Sequence, residues 1–151
     1  MRIREIVAAK SRRSDGEGPE SGVVTVRPDA SVTELLALLA EHNVGALVVS
    51  SDGRTVEGIV SERDVVRQLH RDPGSLEASV GSIMTREVHT CPPDASLDDL
   101  MNEMTRRRFR HVPVVEDGVM VGIVSIGDVV KHKLDLLEFE RDQLDSYVHQ
   151  T

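Results

Sequence analysis

Thr25-Val26-Arg27-Pro28-Asp29-Ala30-Ser31 is answered 65 residues later by Thr90-Cys91-Pro92-Pro93-Asp94-Ala95-Ser96. The correspondence continues through Leu35 and Leu100, Val49 and Val114, Asp52-Gly53 and Asp117-Gly118, and Val56 and Val121. Glu57 then drops out, the offset becomes 64, and Gly58-Ile59-Val60-Ser61 with Asp64-Val65-Val66 is matched residue for residue by Gly122-Ile123-Val124-Ser125 with Asp128-Val129-Val130. In all, 17 of about 43 aligned pairs are identical and in the same order, which makes the chain a tandem duplication. A unit of about 45 residues is too small to bury an adequate core alone, so the two copies must share one.

The lead-in segments correspond as well. Ile3-Arg4-Glu5-Ile6-Val7 resembles Val80-Gly81-Ser82-Ile83-Met84 at an offset of 77, so the first copy carries about 12 extra residues. These fall within Lys10 to Ser21, a Gly, Ser, Pro and charge-rich stretch without an apolar anchor, and read as a mobile loop. Within a copy, Val23 to Arg27 reads as a strand, and Ser31 with Glu34 three residues later reads as a helix start. Val32, Leu35, Leu36, Leu39, Ala40 and Val44 then recur at helical spacing on one face. Ala46 to Ser50 reads as a buried strand, Asp52-Gly53 as a hairpin turn, Val56 to Val60 as the return strand, and Ser61 as the cap of a helix through Leu69.

The second copy repeats the order: a strand at Val88 to Cys91, a helix Leu97 to Arg107, strands His111 to Val115 and Met120 to Val124, and a long helix from Ile126 towards Tyr147. The expected fold is α/β in the α+β sense, two β-α-β-β-α repeats packed face to face about a pseudo-twofold axis, with two equivalent clefts between them. Residues 1–69 hold the first repeat, 70–134 the second and 135–151 a C-terminal helical extension. A paired unit with a flat apolar face invites a symmetry mate, so a homodimer is expected.

Composition narrows the function. With 39% hydrophobic and 29% charged residues the chain reads as a soluble globular protein. Eighteen Lys and Arg against 26 Asp and Glu leave a formal charge of −8, which disfavours nucleic acid and acidic membrane surfaces as partners. No apolar run reaches the roughly 20 residues of a membrane span, and the N-terminus lacks a secretory apolar stretch, so a cytoplasmic address is expected. A single cysteine, Cys91, allows no internal disulfide and no multi-thiolate metal cage. The six histidines show no metal-ligand spacing, and nucleophile-elbow, Walker and dinucleotide glycine motifs are absent, so neither a metal, a catalytic cofactor nor an enzyme is expected.

Two sets of polar residues remain. Ser61 with Asp64 and Ser125 with Asp128 stand at strand-to-helix junctions, where such a pair forms a capping box. The same junction offers helix N–H groups and a serine hydroxyl to an anion and an aspartate to a sugar diol. In an acidic chain the run Arg106-Arg107-Arg108-Phe109-Arg110-His111 also stands out. Arg106 to Arg108 end a helix, where cations complement the dipole, whereas Arg110 and His111 start a strand and can face a phosphate, as can Arg63. Their counterparts in the first copy are Gly45 and Ala46, so the two clefts differ in chemistry.

The doubled Gly-Ile-Val-Ser-x-x-Asp element, the strand-Pro-Asp-Ala-Ser-helix start, the His111-Val112-Pro113-Val114-Val115 strand and the Ile83-Met84-Thr85 lead-in together resemble a tandem pair of cystathionine β-synthase (CBS) domains, the Bateman module. That resemblance implies regulatory binding of an adenosine-containing ligand such as AMP, ADP, ATP or NAD between the repeats. It implies Asp64 and Asp128 on ribose, Ser61 and Ser125 on ribose or phosphate, and Arg110 and His111 near phosphate. It implies adenine against the first strands near Val26 and Cys91 and the Gly45-Ala46 segment. Family members usually regulate an attached protein; none is recognised in this chain, so its output is expected to pass to a separate effector.

Overall fold

The computed structural model describes residues 1–13 and 23–149, with side chains from 23 onward and up to Lys10. The elements follow in the order α1 (Ile3–Arg13), β1 (Thr25–Val26), α2 (Val32–His42), β2 (Ala46–Val49), β3 (Gly58–Ser61), α3 (Glu62–Arg71), α4 (Val80–Ile83), α5 (Leu97–Arg107), β4 (His111–Glu116), β5 (Val119–Ser125) and α6 (Ile126–His149), with a single 3-10 turn at Ser75–Glu77. One sheet has the order β1-β2-β3, parallel then antiparallel, and the other is the antiparallel pair β4-β5. The architecture is mixed α and β in two equivalent halves, as the duplication requires.

Capping chemistry sets the helix starts. Ser31 and Ser96 each accept a hydrogen bond from the backbone N–H three residues on, Glu34 and Asp99, at 3.1 Å in both copies. The helices end alike too. Asn43 and its counterpart Arg108 both turn left-handed, with φ of 51° and 59°. Asp117 and Gly118 have φ of 53° and 78°, the conformation of a type I′ turn, which suits the tight β4–β5 hairpin.

Strand β2 is buried on both faces, and period-two alternation divides its side chains between two tasks. Leu47 and Val49 point into a core with Val32, Leu35, Leu39, Val60 and Val65, whereas Val48 joins Val23 and Met120 in a separate cluster that also touches Val56 and Ile123. That second cluster is the seam between the halves. Met120 N–H donates to Arg54 O across it at 2.8 Å.

The lead-in segments are exchanged. Ile3 and Ile6 of α1 are fully buried in the core of the second half, with Leu97, Leu100, Met104 and Val112. Ile3 N–H donates to Ala95 O at 2.9 Å and Arg4 N–H to Pro93 O at 2.8 Å. In return Val80 of α4 is fully buried in the first half's core, and its N–H donates to Ala30 O at 2.8 Å. Each lead-in therefore runs over the other copy's Gly-Ile-Val-Ser strand. A Cβ on Gly58 would lie 2.9 Å from Thr85 O and one on Gly122 2.8 Å from a Val7 methyl, so both positions require glycine for close approach.

Two expectations are corrected here. Lys10 to Arg13 are the last turn of α1, not loop, because Lys10 has the partners described below; residues 14–22, the rest of the predicted loop, lie outside the described residues. The strand predicted at Val88 to Cys91 shrinks to one parallel bridge between Cys91 and Val114. Cys91 N–H reaches Pro113 O at 3.1 Å and Val115 N–H reaches Cys91 O at 2.9 Å, but Pro113 has no N–H to carry the ladder further. In the first half Val48 occupies that position, and β1 forms.

This exchange predicts that Ile6→Ala costs about 2–5 kcal/mol of stability although Ile6 is remote in sequence from the core it fills. Gly58→Ala, whose Cβ would press on the Thr85 carbonyl, is expected to cost about 1–3 kcal/mol, and Gly74→Ala, whose Cβ would meet only an Asp72 carboxylate oxygen at ordinary contact distance, close to nothing. Urea unfolding of the three variants measures the order.

Candidate functional site

A cleft of about 720 Å³ opens between the halves. Gly45, Ala46, Ser61, Arg63 and Asp64 border it from the first half, Glu87, Val88 and His89 from the segment before Cys91, and Arg107, Arg108, Phe109, Arg110 and His111 from the second half. Its arginines, Arg63, Arg107, Arg108 and Arg110, outnumber its carboxylates, Glu62, Asp64 and Glu87, in a chain that is otherwise strongly acidic. Negative ligands are favoured there.

The local folding explains why these side chains meet. Ala46 pairs with Ser61 and His111 with Ser125 at equivalent points of the two hairpins. Gly45 O accepts from Glu62 N–H at 3.0 Å, and its counterpart Arg110 O accepts from Ile126 N–H at 2.8 Å. Each hairpin thus holds the start of one strand beside the start of the helix that follows the next. Ser61 and Asp64 form the capping box foreseen from their spacing: Ser61 N–H and Oγ donate to Asp64 Oδ2 at 2.8 and 3.1 Å, and Asp64 N–H donates to Ser61 Oγ at 3.3 Å. Both bonds to the carboxylate use Oδ2. Asp64 Oδ1 accepts no hydrogen bond from a described residue and borders the cleft with its carboxylate half-buried.

Ser125 and Asp128 repeat this box, with Ser125 N–H and Oγ donating to Asp128 Oδ2 at 2.9 Å each. A third donor distinguishes the copy. Lys10 Nζ lies 2.8 Å from the same Oδ2 and donates to Ile123 O, also at 2.8 Å. Burial pushes the Asp128 carboxyl upward, yet the hydrogen bonds from Lys10 and Ser125 outweigh it and hold the group below the usual carboxylate range. His111 is lowered first by burial and then by the charge of Lys10, with Asp128 opposing and Arg110 adding a little. Neutral imidazole is the favoured form. At the 77-residue offset of the lead-ins Lys10 corresponds to Glu87, a residue of opposite charge that borders the same cleft as Asp64. Sequence reasoning placed Lys10 in a loop and missed it; extending the lead-in alignment three residues beyond Val7 and Met84 would have found it.

Four predicted site residues lie elsewhere. Ser125 and Asp128 do not border this cleft, and Val26 and Cys91 are buried in separate cores, 3% and 7% exposed. Burial pushes the Cys91 thiol up to about 11, far from the range of a reactive thiolate. The ring pair His89 and Phe109, stacked with centroids 4.8 Å apart, borders the cleft instead. Of the arginine run, Arg107 Nε pairs with Glu103 at 3.2 Å and Arg106 with the same carboxylate, as expected for a helix end, while Arg108 adopts the left-handed cap. Among the described residues no group of three or more His, Cys, Asp or Glu could hold a metal, and no helix is long and apolar enough to cross a membrane.

Fold and site together define a duplicated α+β module with a polar, cation-bordered crevice between its halves. The family model of the CBS domain matches residues 19–71 and 80–135. The chain belongs to the CBS-domain family. It is similar to the crystal structure of a CBS-domain protein from Agrobacterium tumefaciens, with 41% identity and a TM-score of 0.76 over 88% of this chain and 99% of that one. It is also similar to the structure of CBSX2 in complex with AMP, 30% identical with a TM-score of 0.67 over 78% of this chain and 92% of that one. A third similar structure is the CBS domain pair of protein MJ0100 with 5′-methylthioadenosine and S-adenosyl-L-methionine, 25% identical with a TM-score of 0.69 over 87% of this chain and 94% of that one.

The lowered values of His111 and Asp128 have a common consequence. A group whose folded pKa is depressed stabilises the fold fully above its unfolded value, and that contribution is lost as pH falls from there through the folded value. The window opens downward from 6.5 for His111 and from 3.8 for Asp128. Stability in urea is therefore expected to fall between about pH 7 and pH 5, and His111→Gln to flatten that part of the profile. Lys10→Met should move the His111 NMR titration midpoint upward.

Proposed function

We propose that this chain is a regulatory binding module whose first cleft takes an adenosine nucleotide, AMP, ADP, ATP or NAD, and returns it unchanged. The observation that carries the reading is the meeting of Asp64, with one carboxylate oxygen uncommitted, and the cations Arg108 and Arg110, with the neutral His111 beside them, around one crevice. Sugar hydroxyls call for the acceptor and phosphates for the cations. A volume of about 720 Å³ lies within the usual range for a small-molecule site. Related CBS-domain structures bound to AMP or to methylthioadenosine and S-adenosylmethionine support an adenosine ligand.

In this reading Ser61 and Arg63 flank the ribose, and the base lies against Val88 and the His89–Phe109 pair rather than the buried Val26 and Cys91. Asp128 is the weaker counterpart of Asp64, because a diol must compete there with Lys10. A homodimer is the proposed assembly, and a separate effector protein the proposed listener. Binding becomes a signal only where two states of that assembly differ in affinity for the nucleotide.

Arg108 adds an independent argument. A left-handed backbone is unfavourable for arginine, and the counterpart position carries Asn43, which tolerates it better. Retaining a cation there at a cost in stability is consistent with service to a ligand.

Melting temperature in the presence of AMP, ATP or NAD tests the reading. Ligand at 100 times its Kd should add about 2.7 kcal/mol, and Asp64→Ala should abolish most of the shift while Asp128→Ala leaves most of it. No shift with any adenosine ligand, or an equal one with inorganic phosphate, would overturn the proposal in favour of an empty-clefted scaffold. A separate expectation concerns Arg108→Gly, which should raise the melting temperature of the free protein, by about 1 kcal/mol in stability, yet weaken nucleotide binding in calorimetry.

A further inference from the structure

Helix α6 is longer than its own half needs. At 24 residues it extends about 36 Å, and only its first part is covered. Val129 is fully buried, Leu136 packs against the second half's core, and Lys133 pairs with Asp98 of α5 at 3.0 Å. From Leu137 to His149 every residue is exposed.

The exposed surface is patterned. Val130, Leu134, Leu137 and Leu144 are 48%, 55%, 49% and 66% exposed, and with Arg141 they follow one another at intervals of four, three, four and three residues. That is the seam spacing of a two-helix coiled coil, narrower than the stripe of a helix lying on a globular core. It lies beside the face that meets α5, so a second helix can join without displacing the first.

Charge says what the second helix is. Basic Lys131 flanks the seam near its start, and acidic Glu138, Glu140 and Asp145 flank it from the middle to the end. A copy of α6 laid antiparallel brings Lys131 towards Asp145 at both ends. The same register layers Leu134 against Leu144 and Leu137 against Arg141, and the two arginines lie among the central glutamates. A parallel copy would stack Arg141 on Arg141 inside the seam, which is unfavourable for desolvated like charges. We propose that α6 pairs antiparallel with α6 of a second copy of this chain. The proposal deepens the homodimer reading by giving it a surface and an orientation, and it does not depend on any nucleotide.

Light scattering coupled to size exclusion, on ligand-free protein, is the first test. The wild type should have the mass of two chains. Leu137→Glu with Leu144→Glu should weaken association at least tenfold and leave circular dichroism unchanged, since both positions face solvent. A monomeric wild type would overturn the homodimer reading itself, and a double variant that stays dimeric would overturn the surface while leaving the dimer. Orientation is read by cross-linking: Leu134→Cys mixed with Leu144→Cys should form a disulfide-linked pair, while Leu144→Cys alone should not. Cys91 is buried and does not compete. Efficient self-linking of Leu144→Cys would mean parallel helices and sink the proposal.

Discussion

Neither half of this protein contains its own complete core. The first lead-in fills the second half with Ile3 and Ile6, the second lead-in fills the first half with Val80, and each passes so close to a strand that only glycine fits beneath it. Full burial of side chains of this size is worth about 1.5–3 kcal/mol each, a large part of the net stability of a small domain. Gly58 and Gly122 are therefore requirements of the crossing. The cleft follows from it, because the chain leaving α4 runs through Glu87, Val88 and His89 along one side of the crevice.

Duplication supplies two equivalent frames, and a few substitutions make them chemically unequal. Gly45 and Ala46 stand where the other copy has Arg110 and His111, and Lys10 stands where the other lead-in has Glu87. Among the described residues, one aspartate is consequently tied to an ammonium group and the other is not. His111 belongs to both environments: it borders the cleft of Asp64, and its charge responds to Lys10 and Asp128. A change at Asp128 is thus felt by a group that faces the Asp64 cleft, which is a physical route for coupling in that direction.

Much of this was legible from residue spacing, for a simple reason. Capping boxes, hairpin turns and helical faces depend on neighbours within a few residues, so Ser31, Ser61 and Ser96 and the helix Leu97–Arg107 could be read directly. The failed strand before Cys91 was readable in principle, since its obstacle is one missing N–H at Pro113. The site was half legible. Asp64, Ser61, Arg110 and His111 could be nominated from motif and charge, but Val26 and Cys91 were nominated only through the family resemblance, and their burial in the cores depends on packing that spacing does not record.

The sequence by itself determined that there are two copies, what elements each contains, and where its polar residues cluster, because each of these is a local or periodic property of the chain. Tertiary structure alone decided that the lead-ins are exchanged, that Lys10 reaches Asp128 across more than a hundred residues, and that the last part of α6 stands clear of the core. Those outcomes depend on contacts between segments distant along the chain, where the energy of an interaction is set by which surfaces the whole fold brings within reach.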